Sequence, residues 1–468
     1  MKLRNILPVF SLMIFGACVE NPNVTEEIFL DTPGPSKSWV TGLRGQLAST
    51  MSTILINTEM ISDNYFNNST LYSKVFDAPV VDFTDLDVNI LQREVGRLRE
   101  MADYGLETVA PADPSIEAED LAYMHFCRGF ALLLAGENFT GLPIDALGEV
   151  VGWQTLLETA IDEFDLAIAE SSDAETIDAY QLLKARTYYK LGDLANTRNL
   201  ANTLVGDTSL LFMASFDGEN GFGNQLQGAL FPIGPNQSFE PLPRLDFLDP
   251  KYFNRGTAAT DQRPVALAKA EEAYLIMMEV LLAENNLDDA QAMGVALLDV
   301  VEGRPTELLD DSGETRIGPN RSGYPTTAVR VREDENSTFK EGYVLDRRTD
   351  EITTFTVSGT RVTRDEINAT TTVDELLYLV YRLRQEIFIS EGRRSSDLGI
   401  RFPVSETEQL NNPNVGDAFI QPVLPTFIPL NGGMDAFTVD EAGDVTMLFD
   451  MNKVIVDNKT SEDIVPFM

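Results

Sequence analysis

Histidine occurs once in the 468 residues, cysteine and tryptophan twice each, and Lys and Arg number 35 against 74 Asp and Glu. Each scarcity excludes something. A lone His125 has no second histidine with which to build a zinc site, and any Ser-His-Asp chemistry would have to run through it. It stands inside a helical run and reads as a packed side chain. Cys18 and Cys127 are the only cysteines, so no disulfide framework staples the chain and packing must hold it. No segment is long and uncharged enough to supply the roughly twenty apolar residues that a helix needs to span a bilayer. The formal net charge of −39 opposes nucleic acid and anionic membrane faces as partners. Neither a glycine-rich phosphate loop nor a zinc spacing occurs. With so many acids, pairs such as Asp82 with Asp85 or Asp310 with Asp311 are inevitable and say nothing about glycoside hydrolysis. Asp310-Asp311-Ser312-Gly313-Glu314 lacks the alternating oxygen ligands of an EF-hand loop. No catalytic residue, metal or cofactor is expected.

What is present starts with Lys2 and Arg4, an apolar stretch from Ile6 to Phe15, and Phe15-Gly16-Ala17-Cys18. This is the pattern of a signal peptide over residues 1–17. Small residues before a cysteine form a lipobox, at which Cys18 becomes the lipidated first residue of a body spanning 18–468. Losing Lys2 and Arg4 makes the net charge two units more negative. Asn, Pro and Thr from Asn21 onward read as a short tether.

The body is patterned for helices. Trp39, Leu43, Leu47, Met51, Ile54 and Leu55 predict one over Ser36 to Met60, and further helices follow at about Leu91 to Met101, Leu121 to Ala135 and Thr155 to Ala169. Ala179 to Leu204, broken at Gly192-Asp193, and Ala273 to Val301, broken at Asn285-Asn286, repeat one scheme of paired helices with small residues at matched places. That is the mechanics of tetratricopeptide-like pairs. The fold class expected is mostly α: a tetratricopeptide-like helical-repeat scaffold with long irregular inserts at about 206–263 and 303–372. Phe231-Pro232-Ile233 reads as a short strand. Tyr343 to Leu345 and Glu351 to Val357, around a turn at Asp346 to Asp350, predict a small β-hairpin insert.

The late stretch Leu376 to Leu398 carries the most distinctive pattern. Leu376, Val380, Leu383 and Ile387 give its helix one apolar face. Glu391-Gly392-Arg393-Arg394 ends it, with a glycine suited to a left-handed cap, and Asp397-Leu398 follow. An arginine and an aspartate so close at a helix exit are most simply a structural lock. The same residues resemble the SusD/RagB family, surface lipoproteins that capture nutrients for outer-membrane transporters, whose late helix ends approximately E-R-x-x-E-L-x-x-E-G-x-R-W-x-D-L. Arg384, Phe388, Glu391, Gly392, Arg394, Asp397 and Leu398 fit. Leu383 and Ile387 replace the family's glutamates and Ser395 its tryptophan, so the resemblance is to a divergent member.

The resemblance implies a non-enzymatic, cell-surface lipoprotein of the outer membrane that binds an oligosaccharide and delivers it to a SusC-like TonB-dependent transporter, touching the membrane through its lipid alone. A peptide ligand, a lipid-anchored polysaccharide hydrolase and a helical-repeat adaptor are the alternatives. Asp63, Asn64, Tyr65 and Phe66, with Tyr72 beyond them and Tyr324 in the second insert, are the candidate ligand contacts: aromatic faces stack on sugar rings while amides and carboxylates meet hydroxyls. A surface loop with its aromatics tucked inward fits Asp63 to Asn68 equally well.

Overall fold

The computed structural model describes residues 26–67, 74–230, 239–252, 262–310, 328–346, 351–430 and 433–464. Cys18, Tyr72, Tyr324, Phe231 to Ile233 and the Asp311-Glu314 stretch lie outside them. Among the described residues helices dominate, and the strands form only two- and three-stranded sheets. The long helices are Pro35–Met60, Leu86–Tyr104, Ala118–Asn138, Trp153–Glu170, Ala174–Leu191, Leu194–Leu204, Ala270–Ala283, Leu287–Glu302 and Val373–Ile387. None is long and apolar enough to cross a membrane.

Local chemistry explains where they start and stop. Asp173 accepts from Thr176 N at 3.0 Å to open one helix, Gly192 at φ 73° closes it, and Asp193 opens the next by accepting from Asn196 N at 3.0 Å. Such side chains satisfy amides that have no partner in the first turn. Thr372 and Glu375 form a reciprocal capping box at the start of Val373–Ile387. The small-residue matching also has a physical cause. A Cβ added at Gly294 would lie 2.7 Å from Met278 Cε, so glycine lets Leu287–Glu302 lie close on Ala270–Ala283. One apolar cluster joins these helices, running from Val40 to Ile464.

The predicted hairpin takes a different partner. Glu351–Phe355 is a strand, but it pairs antiparallel with Thr306–Asp310, placing Ile352 opposite Leu309. Tyr343 to Leu345 is not a strand, because its polar groups are claimed elsewhere. Leu345 N donates to Asp246 Oδ2 at 2.8 Å, Phe247 N donates to Tyr343 O at 2.9 Å, and Arg382 Nη2 donates to the Tyr343 hydroxyl at 2.7 Å. The first insert is also more ordered than its composition suggests. It holds the strand Leu211–Ala214, paired with Val265–Lys269, the helix Gln225–Leu230 and a 3-10 segment at Pro243–Tyr252.

Candidate functional site

The late helix exit and the Asp63 segment meet in the interior. Asp63 accepts from Arg394 Nε at 2.6 Å and Nη2 at 3.0 Å, from Arg244 Nη2 at 3.2 Å, and from Gln385 Nε2 at 3.0 Å. Asp397 instead accepts from Arg384, at 3.0 and 2.7 Å, and from Lys190 Nζ at 3.1 Å. Arg394 and Asp397 therefore do not lock to each other; Arg394 holds the distant Asp63, while Asp397 holds Arg384 of the late helix together with the distant Lys190. Glu391 Oε1 takes two ammonium groups, Lys251 at 2.6 Å and Lys269 at 2.7 Å. Gly392, at φ 71°, donates its amide to Glu59 Oε1 at 2.8 Å.

Burial sets the electrostatics of this assembly. It raises the Asp63 carboxyl, but the adjoining Arg394 and Arg244 guanidiniums outweigh it and hold the group below its ordinary value. Asp397 is held well below by Arg384 and Lys190 against the same burial. The donors to Glu59 are neutral, Asn64 Nδ2 and the Gly392 and Ser390 amides, and burial pushes it up to about 7. A buried charge is tolerated only with a partner. The assembly thus ties Pro35–Met60, the 3-10 segment and Ala174–Leu191 to the late helix.

Asp63, Asn64, Tyr65 and Phe66 were candidates for an exposed ligand loop; here they are 1%, 0%, 1% and 2% exposed. The strand Tyr65–Asn67 pairs with Phe239–Pro241, and the Tyr65 hydroxyl lies 2.6 Å from Ser390 Oγ. A sugar arriving from solvent meets none of these side chains. The correction follows from the charge pairing: Arg394 and Arg244 require Asp63 inside, and its neighbours follow it. Sequence reading missed Arg244, Lys251 and Lys269 as partners. Their signal was a basic residue inside an otherwise apolar segment, as in the strand Val265–Lys269.

Among the clefts lined by described residues, two are roomier than a third of about 160 Å³ beside Asp207 and Phe212 and are candidate places for a ligand. The first, about 430 Å³, lies between Leu86–Tyr104 and Leu142, Pro143 and Glu408. It offers no aromatic face among its lining residues, and its guanidiniums are engaged: Arg93 and Arg97 with Glu94, Arg99 with Glu100 and Asp103.

The second, about 380 Å³, opens where the glycine-rich turn Gly218 to Gly223 meets Pro35–Met60. Ser52 fastens the two: its Oγ donates to Gly223 O and accepts from Gln225 N, both at 3.0 Å. Asn224 N donates to Gln262 Oε1 at 2.6 Å, and Asn224 Oδ1 accepts from Gln227 N at 3.1 Å. These bonds leave Phe222 standing 49% exposed at the rim. Gln225 and Gly228 are exposed on the wall formed by Gln225–Leu230. The arrangement presents an aromatic face, amides and bare backbone on a rigid base. It brings no acid and base together.

No protein-family model matches the sequence, and no curated protein matches it. Solved structures do. A SusD superfamily protein from Bacteroides thetaiotaomicron superposes with a TM-score of 0.53 at 11% identity, covering 81% of this chain and 98% of that one. One from Bacteroides fragilis gives 0.52 at 14% identity, covering 83% and 99%. A SusD-like carbohydrate binding protein from Bacteroides vulgatus gives 0.50 at 10% identity, covering 78% and 82%. This chain has the SusD-like fold.

Proposed function

We propose that this chain, with its SusD-like fold, is a non-enzymatic lipoprotein that captures oligosaccharide at the outer surface of an outer membrane. In this reading it is anchored through acylated Cys18, and it hands its ligand to a SusC-like TonB-dependent transporter. The observation that carries the reading is the cleft beside Phe222, within a fold shared with a protein described as carbohydrate-binding. A sugar needs a flat apolar surface for its C–H face and donors and acceptors for its hydroxyls. The cleft has Phe222 for the first and Gln225 and the exposed turn backbone for the second.

Binding without chemistry needs no transition-state complementarity. Glycoside hydrolysis needs two carboxyl groups flanking the bond, and no described carboxylate lines this cleft. A glycan and peptide array probed with the full chain in detergent tests the reading. The expected result is retention of an oligosaccharide with no new reducing ends after incubation. Release of reducing ends supports the hydrolase instead, and retention of peptides alone refutes the sugar reading.

A further inference from the structure

Resting on that reading of the Phe222 cleft, we infer that the site takes uncharged oligosaccharides and rejects uronate- or sulfate-bearing ones. None of its lining side chains among the described residues ionises. Among the described residues, cations on the adjoining elements are held by other groups. Arg93 and Arg97 pair with Glu94, Arg44 lies over the Tyr123 ring, and Arg263 faces Glu307 at 3.4 Å.

Among the described residues, carboxylates stand on both sides of the cleft. Ser49, on the helix side, donates its hydroxyl to Glu94 Oε2 at 2.9 Å. Asp217, at the base of the turn, accepts from Glu219 N and Asn220 N, each at 2.9 Å, and these amides hold its carboxyl below the ordinary value. An anionic sugar would give up hydration without gaining a counter-charge from the described lining side chains and would face the Asp217 carboxylate, Glu94 being compensated by Arg93 and Arg97. It would also approach a chain of net charge −39. Hydroxyls pay neither penalty, since amides and backbone both donate to and accept from them.

Gly228 makes the inference testable without damage to the fold. A Cβ built there meets nothing within 4 Å, so a side chain is accepted and projects toward the cleft that this residue lines. The probes are oligogalacturonides of one length, either fully methyl-esterified or de-esterified, together with neutral gluco-, manno- and xylo-oligosaccharides and alginate oligosaccharides. They are titrated into the full chain in detergent, with melting curves alongside.

Binding is expected only from uncharged probes. Phe222→Ala and Gly228→Leu should each weaken it about tenfold or more at unchanged melting temperature, the loss typical of an interface aromatic. Gly228→Lys should narrow the gap between esterified and acidic probes. Acidic probes bound as tightly as neutral ones overturn the charge selectivity and leave sugar capture standing. Neutral binding that survives Gly228→Leu places the ligand elsewhere and overturns the site. No glycan bound at all overturns both this inference and the capture reading.

Discussion

Replacing Asp63 with alanine strands the Arg394 guanidinium in the interior and leaves Arg244 to Glu333 and Gln385. Arg394 loses contacts of 2.6 and 3.0 Å and Arg244 one of 3.2 Å, and both side chains are essentially closed to solvent. Removing one member of a buried ion pair costs about 3–5 kcal/mol, because the remaining charge is left uncompensated. Arg394→Ala should cost less, nearer the about 1.5–3 kcal/mol of a charged hydrogen bond, since Asp63 keeps Arg244 and Gln385. The double variant is the diagnostic. Once Asp63 is gone, deleting Arg394 removes an orphaned charge, so the double variant should be no less stable than Asp63→Ala. Urea denaturation followed by far-UV circular dichroism measures all three, with neutral-glycan titration as control. Affinity in any variant that remains folded should match the wild type. Additive losses, or Asp63→Ala within about 1 kcal/mol of wild type, would refute the buried-charge account. Lost binding at unchanged stability would make Asp63 a ligand contact after all.

Glu59 is raised from an ordinary 4.5 to about 7, so the folded chain holds its proton longer than the unfolded one. Its contribution is therefore complete below about 4.5 and lost as pH rises through about 7, a swing of about 3 kcal/mol that Glu59→Gln should flatten in denaturation midpoints across that range. Gly392→Ala places a Cβ 3.1 Å from Ile54 Cγ2 at φ 71° and should destabilise by about 1–3 kcal/mol, readable as a lower melting temperature. Metabolic labelling with a fatty-acid analogue should mark the wild type and vanish in Cys18→Ala; label that persists rules out Cys18 as the acylated residue.

The helices were legible from the chain alone because what makes them is local. Caps such as Thr372 with Glu375, the break at Gly192-Asp193 and the stripe from Leu376 to Ile387 all act within a few residues. The exit pattern Glu391 to Leu398 was legible for the same reason, and it pointed to the SusD-like fold that the superpositions show. Which groups those charges hold was not legible. Arg394 reaches Asp63 across 331 positions and Lys269 reaches Glu391 across 122, and a side chain carries no record of a partner that distant. That pairing turned Asp63 to Phe66 inward. Likewise Glu351–Phe355 announced itself as a strand, while its partner Thr306–Asp310 was settled by Asp246 and Arg382 claiming the residues around Tyr343. The Phe222 cleft exists only where a glycine-rich turn, unremarkable by itself, is pinned by Ser52 to a helix far earlier in the chain. Local hydrogen bonding and periodicity determined the elements; the need of each buried charge for a counter-charge decided how they came together and which faces were left to solvent.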